Sequence, residues 1–234
     1  MNRVELINLL LSHTGQQNYL EIGVRDGKTI TKVLAKNKVG VDPAYRLNSK
    51  VKWKRWVGLD KFKLVKQTSD DYFGSGLPHQ DFKKGIDVVF VDGLHNFEQS
   101  LKDVNNALKH LSADGFIVLH DCNPKGAAQA YPVKHSYDEV VEKLRTEGIQ
   151  GWTGEWNGDV WKTIVYLKAT NPNLKIVTIN ADQGLGVIKV EGEYTTLEID
   201  PQTIASLDYH FLEKHRKEVL GLVSEEEFLK KYLN

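Results

Sequence analysis

Tyr19-Leu20-Glu21-Ile22-Gly23-Val24-Arg25-Asp26-Gly27-Lys28-Thr29, followed by Val39-Gly40-Val41-Asp42-Pro43, decides how this chain folds. It reads as strand, glycine-bearing turn, helix, second strand and terminal carboxylate, which is one half of a nucleoside-binding crevice. Gly23 and Gly27 let the backbone pass close beneath a ligand, and Asp42, at the end of the second strand, is placed to accept hydrogen bonds from ribose hydroxyls. The spacing is Glu-x-Gly-x-x-x-Gly, not Gly-x-Gly-x-x-Gly. A carboxylate just before the turn repels phosphate, so the pattern favours a ligand without a diphosphate and with a cationic group or a hydroxyl.

Working outward, Val4 to Leu11 predict a leading helix ending near Gly15, the first strand covers 19–23, and a helix is expected from Lys28 to Lys36 before a strand at 38–41. Residues 44–60 are ambiguous. Tyr45, Arg46, Lys50, Lys52, Lys54 and Arg55 with Trp53 and Trp56 form a basic aromatic patch, which reads either as a cover for an anionic substrate or as a solvated helix with tryptophans packed on the sheet. A third strand at 62–67 leads into Thr68-Ser69-Asp70-Asp71. There Ser69 or Asp70 could meet a base, or the segment could simply cap a helix. Gly74 to Pro78 look like a loop.

Ile86 to Val91 is a continuous apolar run, as expected of a parallel strand covered on both faces, and it ends in Asp92-Gly93-Leu94-His95. After a helix at 97–111, Gly115 opens a fifth strand ending in His120-Asp121-Cys122-Asn123-Pro124. Two aspartates, two histidines and an asparagine thus follow neighbouring strands. Asp92 could merely order its glycine turn and Asp121 cap its loop. Cys122 lacks the surroundings of a nucleophile and reads as a small loop residue. Downstream come a helix at 136–147, a glycine-rich loop at 148–158, a helix at 160–167 capped by Asp159 (chosen over a strand), and paired strands at 175–179 and 186–190. Trp152, Trp156 and Trp161 line a pocket or fill the core. A helical end follows, with a capping box at Ser224.

These pieces resemble class I S-adenosylmethionine-dependent methyltransferases, with Glu21 to Gly27 as the first motif, Asp42 closing the second, and the strands ending at Asp92 and Asp121 as the fourth and fifth. The resemblance covers roughly residues 15–125 and extends to small bacterial enzymes that O-methylate sugars and natural products. It implies an α/β, doubly wound, Rossmann-like seven-stranded sheet, mostly parallel with an antiparallel closing hairpin and helices on both faces. It also implies a domain over 1–200 with a C-terminal helical extension over 201–234 that packs on the same domain or on a partner. S-adenosylmethionine is the implied cofactor, held by Glu21, Gly23, Arg25, Gly27, Asp42, Ser69, Asp70 and Asp92. On the reacting side, His95, Asp92 and His120 are the catalytic candidates, and Mg²⁺ on Asp92, Asp121 and Asn123 is the alternative to a histidine base. The implied acceptor is a small or saccharide hydroxyl. The competing reading is a nucleoside-binding or protein-interaction module that keeps the strands without catalysis.

Composition fits that expectation. With 234 residues, 41% of them hydrophobic, the chain can bury a full core. Lys plus Arg and Asp plus Glu both number 31, giving zero net charge, so no global basic field points to nucleic acid. A single cysteine excludes an internal disulfide, and the first residues are too charged for a signal or membrane span. The expectation is a cytoplasmic protein, with a homodimer through the terminal helices as the sharper alternative to a solvated cover.

Overall fold

A computed structural model describes residues 1–15 and 17–233. The elements run α1 (Arg3–Thr14), β1 (Asn18–Ile22), β2 (Asn37–Val41), α2 (Ser49–Trp56), β3 (Lys63–Val65), α3 (Ser69–Gly74), α4 (Leu77–Asp81), β4 (Ile86–Val91), α5 (Phe97–Leu108) and β5 (Leu111–Leu119). There follow α6 (Asp138–Thr146), α7 (Trp161–Thr170), β6 (Leu174–Ile179), β7 (Leu185–Val190), a 3₁₀ turn at Pro201–Ser206, α8 (Tyr209–Leu220), β8 (Leu222–Val223) and α9 (Glu225–Tyr232). The strands form one mixed sheet in the order β3-β2-β1-β4-β5-β7-β6-β8. Among the described residues, eight strands replace the expected seven. The eighth lies in the terminal segment read as purely helical, where Leu222 and Val223 pair in parallel with Thr178 and Ile179. Strand content in a two-residue element leaves no periodicity to detect.

The chain divides into two compact units, Met1–Gly93 with Lys102–Val118, and Leu94–Leu101 with the chain from Leu119 onward. In the first, β1 pairs in parallel with both β2 and β4, which makes it a central strand. Tyr19, Leu20 and Glu21 are accordingly all buried. Asn2 and Glu5 form a capping box at the start of α1, and Gly15 ends that helix in a left-handed conformation.

The helix expected over Lys28–Lys36 is absent, and the segment runs as a series of turns. A helix there would need the Leu34 N–H on the Ile30 carbonyl. Instead the Leu34 N–H donates to Asn8 Oδ1, while Lys38 Nζ donates to the Ile30 carbonyl. Asn8 Nδ2 also takes the Lys32 carbonyl. Tertiary partners therefore outbid a segment whose β-branched Thr29, Ile30, Thr31 and Val33 favour helix only weakly. The ambiguous region becomes α2, and the loop expected at 74–78 contains the start of α4, with Pro78 in its first turn.

In the second unit, β6 and β7 form the expected antiparallel hairpin over six residue pairs. The 160–167 segment is helical as read, but Asp159 is not its side-chain cap. Its Oδ1 accepts the Phe97 N–H at the start of α5 and its Oδ2 pairs with Lys162 at 3.1 Å. Ser224 and Glu227 form the expected capping box before α9.

Candidate active site

The first unit carries the glycine turn. Gly23 and Gly27 take φ values of 87° and 79°, and Arg25 between them also lies in the left-handed region at 49°. The Gly23 N–H bonds to the Val41 carbonyl at 3.0 Å, tying the turn to the end of β2. Asp42 receives the Arg25 N–H on Oδ2 at 2.8 Å and the Ala44 N–H on Oδ1 at 2.6 Å, so its carboxylate is held rigidly at the strand end.

Glu21 sits elsewhere than a surface ligand contact would. It shares a face of β1 with Tyr19, whose hydroxyl donates to it at 2.6 Å, and it is almost wholly buried. Burial pushes its carboxyl up to about 8, and Asp92 adds to the rise. The Tyr19 hydrogen bond and the Arg3 and Lys38 charges oppose it. Asp92 itself pairs with Arg3 at 3.0 Å. Of the residues past β3, Thr68 caps α3, Ser69 is buried with its hydroxyl donating to Asp103 at 2.6 Å, and Asp70 is exposed beside Lys102 at 3.4 Å.

The second unit gathers the imidazoles. Asp121 ends β5's continuation at a φ of 62°, and its Oδ2 lies 2.8 Å from His120 Nδ1 and 3.2 Å from His95 Nδ1. Asn157 Nδ2 donates to its other oxygen at 2.8 Å. His95 stacks on Trp156 with ring centroids 5.0 Å apart, and its Nδ1 also lies 3.1 Å from the Trp156 carbonyl. The Trp156 carbonyl can only accept, which places the proton on Nδ1 and makes Nε2 the acceptor nitrogen of the neutral ring. His120 is buried between Asp121 and Asp182, its Nε2 3.5 Å from Asp182 Oδ1.

Asn123 faces a different network. Its amide donates to Asn180, and its oxygen accepts a short hydrogen bond from Arg216, which also reaches the Pro124 carbonyl and Tyr209. Cys122 is fully buried and burial pushes its thiol well up, in keeping with a packing residue. Sequence reading missed Asn157, Asp182 and Arg216 as neighbours of this cluster. Asn157 stood within Trp156-Asn157-Gly158-Asp159, but no residue spacing announces that a loop 36 residues on orients Asp121.

A doubly wound sheet with a glycine turn after β1, a carboxylate at the end of β2 and an Asp/His cluster after the later strands defines the class I methyltransferase fold. Residues 20–122 match the model of a methyltransferase domain. Similar solved structures include an S-adenosylhomocysteine-bound methyltransferase, PaMTH1, of Podospora anserina. It is 16% identical with a TM-score of 0.54, over 81% of this chain and 78% of that one. An O-methyltransferase of Bacillus cereus, also in complex with S-adenosylhomocysteine, gives 16% and 0.53 over 81% and 80%. A putative O-methyltransferase of Klebsiella pneumoniae gives 11% and 0.53 over 81% and 80%. No curated protein sequence matches the chain. Among the described residues, no helix is long and apolar enough to cross a membrane.

Proposed function

We propose that this protein transfers the methyl group of S-adenosylmethionine to a hydroxyl of a small or saccharide acceptor, with His95 as general base and the Asp121 carboxylate stabilising the charged imidazole. The observation that carries the reading is the hydrogen bond of His95 Nδ1 to the Trp156 carbonyl at 3.1 Å, with the Asp121 carboxylate 3.2 Å from the same nitrogen. A hydroxyl is a poor nucleophile until its proton is taken, and imidazole is the side chain most often suited to taking it near neutral pH. The displacement at the sulfonium methyl forms the new O–C bond as the S–C bond breaks. S-adenosylhomocysteine leaves and the proton passes to His95.

On this reading Asp42 receives the ribose hydroxyls, and Gly23 and Gly27 keep side chains out of the cofactor's path. The buried Glu21 acts from beneath the turn instead of touching the solvent side. A Mg²⁺ on Asp92, Asp121 and Asn123 would have to displace Arg3 from the first and Arg216 from the third. The reading routes no step of the reaction through a metal.

Asp42→Ala is expected to weaken S-adenosylhomocysteine binding about 100-fold by calorimetry, the worth of two hydrogen bonds to a charged acceptor. Asp42→Asn, whose single side-chain oxygen keeps one of the Arg25 and Ala44 N–H bonds and turns an amide donor toward the other, is the milder of the two variants. Binding equal to wild type in both variants would remove Asp42 from the cofactor site. His95→Gln should keep that binding while lowering kcat by about 10²- to 10³-fold for any acceptor found by screening. Equal turnover in His95→Gln would end the base assignment.

A further inference from the structure

The α2 helix presents apolar surface where a soluble domain should not. Val51 points into the protein, and one hundred degrees per residue places Trp53, Trp56 and Val57 on the opposite face. Their exposures are 55%, 84% and 39%, and Leu59, just past the helix, is 70% exposed. Lys50 and Lys52 flank the tryptophans on that same outward face.

The charge of the segment is as one-sided as its exposure. Between Asp42 and Asp70 the chain has eight cationic residues and a single acidic one, Asp60. Asp60 is buried and spent on Lys38 at 2.8 Å. Arg55 turns back onto the Phe62 ring at 4.6 Å, but Lys50, Lys52 and Lys61 stay exposed around the indoles. The zero net charge of the whole chain thus conceals a strongly positive patch with an apolar centre.

We propose that this face of α2 docks on an anionic lipid bilayer, with Trp53, Trp56, Val57 and Leu59 entering the headgroup region and the lysines meeting lipid phosphates and carboxylates. Indoles partition to that interface, and a cationic ring around an apolar centre is the pattern of a helix lying in it. A second copy of the chain is a poor occupant, because a two-fold contact would bring like charges face to face. A nucleic acid would use the indoles for stacking and the lysines for phosphate, but gives no role to Val57 and Leu59. A small anionic acceptor needs an enclosing site, whereas these apolar side chains are 39 to 84% exposed.

The docking element is wired to the glycine turn. A Cβ on Gly27 would meet the Leu47 and Val51 side chains at 2.9 and 3.2 Å. The Arg46 and Asn48 N–H groups donate to the Arg25 and Asp26 carbonyls. A bilayer that orders α2 therefore also orders the turn.

Co-sedimentation with phosphatidylcholine vesicles, with and without phosphatidylserine, tests this on the full chain. Binding is expected to the phosphatidylserine vesicles, falling with salt. It should drop by at least about tenfold in Trp53→Ser/Trp56→Ser and in Lys50→Glu/Lys52→Glu, whose unchanged thermal melting would show that exposed positions were altered. Brominated phosphatidylcholine mixed into the wild-type sample should quench part of its tryptophan fluorescence. The proposal is overturned by absence of binding to either vesicle, or by binding that both double variants retain. It is equally overturned by a dimer that Trp53→Ser/Trp56→Ser dissolves, or by oligonucleotide binding without vesicle binding.

Discussion

Glu21→Gln is expected to be more stable than the wild type at about pH 8, by about 4 to 5 kcal/mol, and nearly equal to it near pH 4.5. Native Glu21 holds its proton up to about 8, against an ordinary 4.5 in the unfolded chain, because it is buried beneath Tyr19. Below 4.5 both states are protonated and the group is neutral to stability. As pH rises from there, the unfolded chain ionises first, and each pH unit favours unfolding by about 1.4 kcal/mol until the native carboxyl follows. Glutamine keeps an acceptor for the Tyr19 hydroxyl and removes the titration. Denaturant unfolding of both proteins at several pH values measures the effect, which is large beside the ordinary stability of a domain. Parallel pH profiles would mean that Glu21 is already ionised in the native state.

Gly23→Ala should cost about 4 kcal/mol or more and remove cofactor binding with it, while Gly15→Ala should cost only about 1 kcal/mol. Both glycines have positive φ, 87° and 95°, so both substitutions incur backbone strain. They differ in space. A Cβ on Gly23 would run into the carbonyl of Asp92 and against the Gly93 nitrogen at 2.8 Å, whereas nothing lies within 4 Å of one on Gly15. Moving the Asp92 carbonyl means moving the end of β4, which is hydrogen-bonded to β1 through the Asp92 N–H and the Ile22 carbonyl. Thermal melts of the two variants separate strain from collision, and equal losses would show that conformation alone matters.

The parts of the fold legible in the sequence were those governed by local rules. The buried runs of β1 and β4, the Gly15 stop and the Ser224 capping box all emerged within a residue or so of their expected bounds. What failed was decided at a distance. Lys38 and Asn8 dissolve the helix over 28–36 by taking its hydrogen bonds, and Phe97 takes the Asp159 side chain that was assigned to α7. The site divides the same way. That His95, His120 and Asp121 belong together followed from their strand-end positions, but their pairing through Asp121 Oδ2 needed coordinates. So did the depth of Glu21 and the capture of Asn123 by Arg216, since both depend on side-chain direction and on α8, 93 residues away.

Asp121, held at a φ of 62°, has a consequence for how this protein can change over generations. Glycine, asparagine and aspartate occupy that backbone region more readily than other residues, so the position favours a short alphabet. Asparagine lies one nucleotide from aspartate in the genetic code and would suit the same backbone. It would remove the negative charge beside both imidazoles. The backbone thus sets no bar against losing this carboxylate, and a lineage released from the need for the charge could lose it in one step.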